Sequence, residues 1–222
     1  MRQSLLIVEV LLSACASRGT FTLAPTGARP AASETIFVAT TRQAEPTGFG
    51  YERANQASFL RYDIGITADR AAGELNWPPK SRAADVERDF LRLDETRFVG
   101  GTDFRRALSG AMQKRKQIIA VVYVHGFNNT MAESVYQVAQ MHHDLAVPGV
   151  AVHYAWPSRR SALDYLHDQE TVLFARTGLE NLLGEVARSG AREIIIVAHS
   201  LGGTPDNGDI APDGAPRRAN GA

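Results

Sequence analysis

The sequence predicts an α/β fold, a mostly parallel sheet with flanking helices. Three observations predict it. Ile118 to Val124, Val150 to Ala155 and Ile194 to Ala198 are short aliphatic runs, the pattern of strands buried on both faces. Stretches with apolar residues at helical spacing separate them. The resulting order, strand–helix–strand–helix–strand, requires right-handed crossovers and a parallel sheet.

Each element has a local reason. Thr35 to Thr40 is β-branched and aromatic, a first strand. Gln43 to Gln56 is polar and reads as a loop. Ser58 to Thr67 alternates apolar and polar residues (Phe59, Tyr62, Ile64, Ile66) and reads as an outer strand. Asn76-Trp77-Pro78-Pro79 is a break, because proline stops helix and ladder alike. Phe90 to Phe98 is a further strand. Thr102 to Lys116 places Phe104, Leu108, Ala111 and Met112 on one helical face. Thr130-Met131-Ala132-Glu133 is a capping box. It opens a helix with Val135, Val138, Ala139 and His142 on one side, closed by Leu145 to Gly149. Ala162 to Ser189 carries a long helical pattern that Gly178 divides and Gly190 stops.

The chain has 222 residues, enough for one domain with a sizeable core. Lys+Arg and Asp+Glu both number 24, so nothing pulls toward nucleic acid. The one cysteine excludes an internal disulfide and a multi-cysteine metal site. No run of about 18 apolar residues marks a membrane span.

Met1 to Cys15 has a basic start at Arg2, an apolar run from Leu5 to Leu12 and a small-residue end. This is the layout of a secretory signal. Leu12-Ser13-Ala14-Cys15 resembles the lipobox of bacterial lipoproteins. The resemblance implies cleavage before Cys15 and its acylation. That gives a lipid anchor in the cell envelope, on the periplasmic side of the outer membrane. Residues 16–34, rich in Ala, Gly, Thr and Pro, then read as a flexible tether.

The chemistry gathers at two strand ends. Ala198-His199-Ser200-Leu201-Gly202 follows the last aliphatic run and reads as a nucleophile elbow, with Ala in the first position of G-x-S-x-G. Small residues flank Ser200 because the strand-to-helix turn is tight. Ser200 is therefore the candidate nucleophile. His125-Gly126-Phe127-Asn128-Asn129 follows the run ending at Val124. A loop there supplies one oxyanion-hole amide and the residue after the nucleophile supplies the other, which selects Phe127 and Leu201. His125, Gly126 and Asn128 support the loop, and Gly126 lets the backbone approach a substrate closely. Trp156-Pro157-Ser158 either lines the pocket or forms a structural turn around a packed Trp.

Val122-Tyr123-Val124-His125-Gly126-Phe127-Asn128-Asn129-Thr130, Tyr154-Ala155-Trp156-Pro157-Ser158 and Ile196-Val197-Ala198-His199-Ser200-Leu201-Gly202 occur in order. Together they resemble a bacterial family of esterase- and lipase-like α/β-hydrolases. The resemblance implies an α/β-hydrolase-type sheet, Ser200 in a Ser–Asp–His triad and an ester substrate, small or lipid. It implies no metal or other cofactor. In that family the acid and the histidine follow the serine; here both are expected to be missing, as in a truncated or frameshifted member, so that little activity is expected. His142, His143, His153, His167 and His199 read instead as packing or surface histidines, because a base must reach the serine within hydrogen-bond distance.

The expected organisation is a signal and lipobox over 1–15, the tether over 16–34, a partial hydrolase domain over 35–203 and a disordered tail over 204–222. The fold is expected to be incomplete after the elbow, with an unpaired apolar edge on its last strand. The alternative to an active hydrolase is a catalytically silent envelope lipoprotein that keeps part of the fold.

Overall fold

A computed structural model of the chain describes residues 19–78, 82–158 and 165–199. Six strands, β1 (Ala32–Glu45), β2 (Gly48–Ile66), β3 (Leu91–Phe98), β4 (Ile119–Val124), β5 (Val150–Ala155) and β6 (Glu193–Ala198), form one sheet. Among the described residues three helices join it: α1 (Gly101–Arg115), α2 (Met131–Asp144) and α3 (Tyr165–Arg188). The strand order is β3-β2-β1-β5-β4-β6. β1, β5, β4 and β6 run parallel to one another. β2 lies antiparallel between β1 and β3. The predicted α/β class is the one observed.

Strand alternation gives the sheet two apolar faces. Ile36, Val38, Tyr62, Val121 and Tyr123 pack with Val135, Tyr136 and Ala139 of α2. Phe37, Ala39, Val122, Val152 and Tyr154 pack with Phe104 and Leu108 of α1 and with Leu182 and Val186 of α3. The capping box forms as expected. Thr130 Oγ1 accepts the Glu133 N–H at 3.0 Å, and Glu133 Oε2 accepts the Thr130 N–H at 2.9 Å.

Four expectations need correction. The polar stretch from Gln43 to Gln56 is not a loop. β1 continues to Glu45 and β2 begins at Gly48, paired across a tight turn. Polar residues suit a hairpin that projects beyond the covered sheet, where main-chain pairing and not apolar burial holds the strands. β2 is not the outer strand, because β3 pairs on its far side. Residues 16–34 are not a tether from Gly19 onward. The Gly19 N–H donates to Glu133 Oε1 at 2.8 Å, and Phe21 stacks on Tyr62 with centroids 4.6 Å apart. A composition poor in large apolar residues conceals one aromatic that packs against the core.

Gly178 does not divide α3, which runs unbroken from Tyr165 to Arg188. A Cβ on Gly178 would lie 2.3 Å from the Tyr154 hydroxyl oxygen and 2.7 Å from Thr41 Cγ2. The glycine lets helix and sheet touch, so that the Tyr154 hydroxyl donates to Ala175 O at 2.7 Å. The expected signal and lipobox, the tail after 203, Cys15, Ser200 and Leu201 lie outside the described residues.

Candidate active site

In an open α/β sheet, ligands bind beyond the carboxyl ends of the parallel strands. Here the segments leaving β4 and β5 meet there, and β6 ends beside them. The ladder between β4 and β6 runs to Val124 and Ala198 and continues as the His199 N–H donating to Val124 O at 3.2 Å. The chain thus reaches residue 199 alongside the start of the His125–Asn129 loop.

That loop is held by its carbonyls. Trp156 Nε1 donates to His125 O at 2.6 Å. His125 Nδ1 donates to Gly126 O at 2.7 Å. Asn129 Nδ2 donates to Gly126 O at 3.3 Å and to Phe127 O at 3.2 Å. Arg42 Nη2 donates to Asn129 O at 2.8 Å. One amide is fixed as well: the Asn128 N–H donates to Ser158 Oγ at 2.8 Å. Asn128 itself sits at φ +60°, in the left-handed region that asparagine tolerates better than most residues.

The His125 ring stacks on the Trp156 indole, 5.1 Å between centroids and 4° between planes. Its Nε2 faces Trp156 O at 3.1 Å. Burial, and then the Arg42 charge, push its pKa well below the usual histidine range. A neutral ring has one N–H, and the shorter contact assigns it to Nδ1. His153 lies beside it, ring centroids 5.6 Å apart. It donates from Nδ1 to Tyr123 O at 3.0 Å. Burial pushes its pKa down to about 4. Among the described residues its buried Nε2 has no hydrogen-bond partner. Neither ring is placed as a base toward an outside nucleophile. One faces main-chain carbonyls and the other is fully buried. His142 is occupied too, its Nδ1 lying 3.1 Å from the Tyr123 hydroxyl.

Arg42 is the buried cation of this region, at 0% exposure. It sits at a register irregularity of β1. It also donates to Gly50 O at 3.1 Å and lies over the Tyr51 ring at 5.6 Å. Next to it, the Thr40 hydroxyl donates to Ala155 O at 2.6 Å, tying β1 to the end of β5. The sequence pointed to neither residue: Thr40 was only the end of an expected strand, and Arg42 stood between that strand and the stretch from Gln43 expected as a loop.

Among the expected site residues, the structure brings His125, Gly126, Phe127 and Asn128 together in one braced loop. Trp156-Pro157-Ser158 forms the structural turn of its two readings, with Trp156 at 1% exposure. Ser158 and Asn129 emerge as partners of the loop that sequence reasoning did not single out. The signal was their place in the recurring strings, without a role attached. A groove of about 850 Å3 opens near the first turn of α2. Phe21, Phe49, Tyr51 and Trp77 line it together with Arg92 and Arg97, whereas residues 125–129 do not.

The mostly parallel mixed sheet, with helices on both faces and loops converging at its carboxyl end, is of the α/β-hydrolase type. Residues 101–204 match a family model described as alpha/beta hydrolase of unknown function (DUF900). The match covers just under half of the chain, from the first residue of α1 through the Ser200 segment. No curated protein and no solved structure matches the chain.

Proposed function

We infer that this protein is a serine hydrolase of carboxylic esters, with Ser200 as nucleophile. The supporting observation is the braced His125–Asn129 loop beside the end of β6, in the segment similar to α/β-hydrolases. Ser200 Oγ attacks the ester carbonyl as its proton passes to a base. The Phe127 and Leu201 amides stabilise the oxygen that becomes negative. The alcohol leaves, and water then releases the acid from the acyl-serine. Arg42 adds a fixed positive charge nearby, which favours a developing anion in a site of low dielectric.

Acylated Cys15 anchors the enzyme in the cell envelope, on the periplasmic side of the outer membrane. Its substrate is a small or lipid ester. No described helix is long and apolar enough to cross a membrane.

The alternative, a silent lipoprotein with a hydrolase-like body, draws on the histidines. His125, His142 and His153 are committed to main-chain or buried contacts. A fluorophosphonate probe separates the two readings. Labelling of the folded protein that disappears in Ser200→Ala supports the enzyme. A folded wild type that stays unlabelled supports the silent form. Incorporation of labelled palmitate, abolished in Cys15→Ala, tests the anchor.

A further inference from the structure

The bracing of the His125–Asn129 loop has a directional consequence. A peptide group is planar and trans, so the C=O of one residue and the N–H of the next point opposite ways. Trp156 fixes the His125–Gly126 group through its carbonyl. His125 and Asn129 together fix the Gly126–Phe127 group by drawing Gly126 O toward themselves. The Phe127–Asn128 group is fixed from both ends. Asn129 takes its oxygen, and Ser158 Oγ takes its N–H. Arg42 secures the far end through Asn129 O.

The Phe127 N–H therefore points away from the donors that hold Gly126 O. It cannot turn without breaking two hydrogen bonds on that carbonyl. The braces are themselves immobilised by packing: Arg42 and Ser158 are at 0% exposure, Trp156 at 1% and His125 at 6%. An amide aimed in advance loses no energy to reorientation as charge develops.

We propose that Asn129 and Ser158 are positioning residues for the oxyanion hole. They fix the peptide planes on either side of Phe127 and so aim its N–H, without touching the reacting atoms. The proposal rests on the serine-hydrolase reading. It reaches beyond it by giving work to two polar side chains from separate loops.

The test uses the full chain and the variants Asn129→Asp, which keeps the shape and loses the donor, and Ser158→Ala. Three quantities are measured: the rate of fluorophosphonate labelling, the melting temperature, and hydrogen exchange at the Phe127 and Asn128 amides. Labelling is expected to slow by about ten- to a hundredfold in the folded variants. Exchange at both amides is expected to quicken, and Ser158→Thr, which retains the hydroxyl, to recover much of the rate. A merely structural role would lower the melting temperature and leave the labelling rate of the folded fraction unchanged. Wild-type labelling rates in both variants overturn the proposal and leave the hydrolase reading intact. An unlabelled wild type removes the hydrolase reading. Exchange then decides, and unaltered exchange at both amides overturns the bracing as well. If neither variant folds, the two residues are structural and the proposal fails.

Discussion

β4 and β6 are neighbours of equal length and similar composition, Ile-Ala-Val-Val-Tyr-Val beside Glu-Ile-Ile-Ile-Val-Ala. At one rung of their ladder Val122 pairs with Ile196. Paired residues point to the same face, yet Val122 is 0% exposed and Ile196 is 49% exposed. The aliphatic pattern says that both prefer burial. Neighbours decide which achieves it. β4 has a strand on each side, α2 on one face and the core of α1 and α3 on the other. Among the described residues, β6 is hydrogen-bonded to β4 alone. Ile195 and Val197, on its other face, are also partly exposed.

The largest expected effect is at the covered member of that pair. Val122→Asp places an unpaired charge among packed aliphatics, and a loss of more than about 4 kcal/mol is expected. Chemical denaturation would measure it. A cooperative transition close to that of wild type would mean that the two strands differ less than their exposures indicate.

An intermediate effect is expected where α2 is fastened. Asp144, its last residue, forms an ion pair with Arg70 in which both side chains are nearly buried. It also accepts from the Gly73 N–H and from Gln140 Nε2. Hydrogen bonding from Arg70, first among the causes, holds the Asp144 carboxyl well below the usual carboxylate range. Asp144→Asn leaves the guanidinium without its counter-charge and is expected to cost about 2 kcal/mol at neutral pH. The sign with pH follows from the depressed value. The stabilisation is complete above the unfolded pKa of about 3.9 and is lost as pH falls through the lower folded value. Between about pH 4 and pH 2, wild-type stability should therefore fall more steeply than that of Asp144→Asn. Parallel pH profiles would contradict this.

The smallest effect on stability is expected at Ile196. Ile196→Lys should change the unfolding free energy by no more than about 0.5 kcal/mol. It should raise the monomeric fraction seen by light scattering, because an apolar strand edge invites pairing with another chain. A large loss of stability would show that the side chain is better covered than its exposure suggests.

Some of the site was legible from local pattern. The capping box at Thr130 and the His-Gly-Phe-Asn loop at the end of an aliphatic strand required only residues adjacent in sequence. Arg42 was not legible. A cation in a polar stretch gives no sign that it will be fully buried against a loop 87 residues later. Ser158 was named as part of a turn, but its bond to the Asn128 N–H joins two loops that meet only because β4 and β5 are adjacent. Gly178 misled for the same reason. Within a helix it looks like a weak point, whereas against Tyr154 it is the contact that lets the helix sit down.

By itself the sequence determined the alternation of strands and helices, the start of α2 and the chemical character of the loops at the strand ends. Periodicity, caps and turn residues act over a few positions, so they can be read without knowing what lies across the sheet. Tertiary structure alone decided that β1 and β2 extend into a long hairpin, that Phe21 packs against the core and Arg42 is buried, and that, among the described residues, β4 is covered while β6 is not. Burial and carbonyl bracing depend on partners distant in the chain, and only the packed sheet brings those partners together.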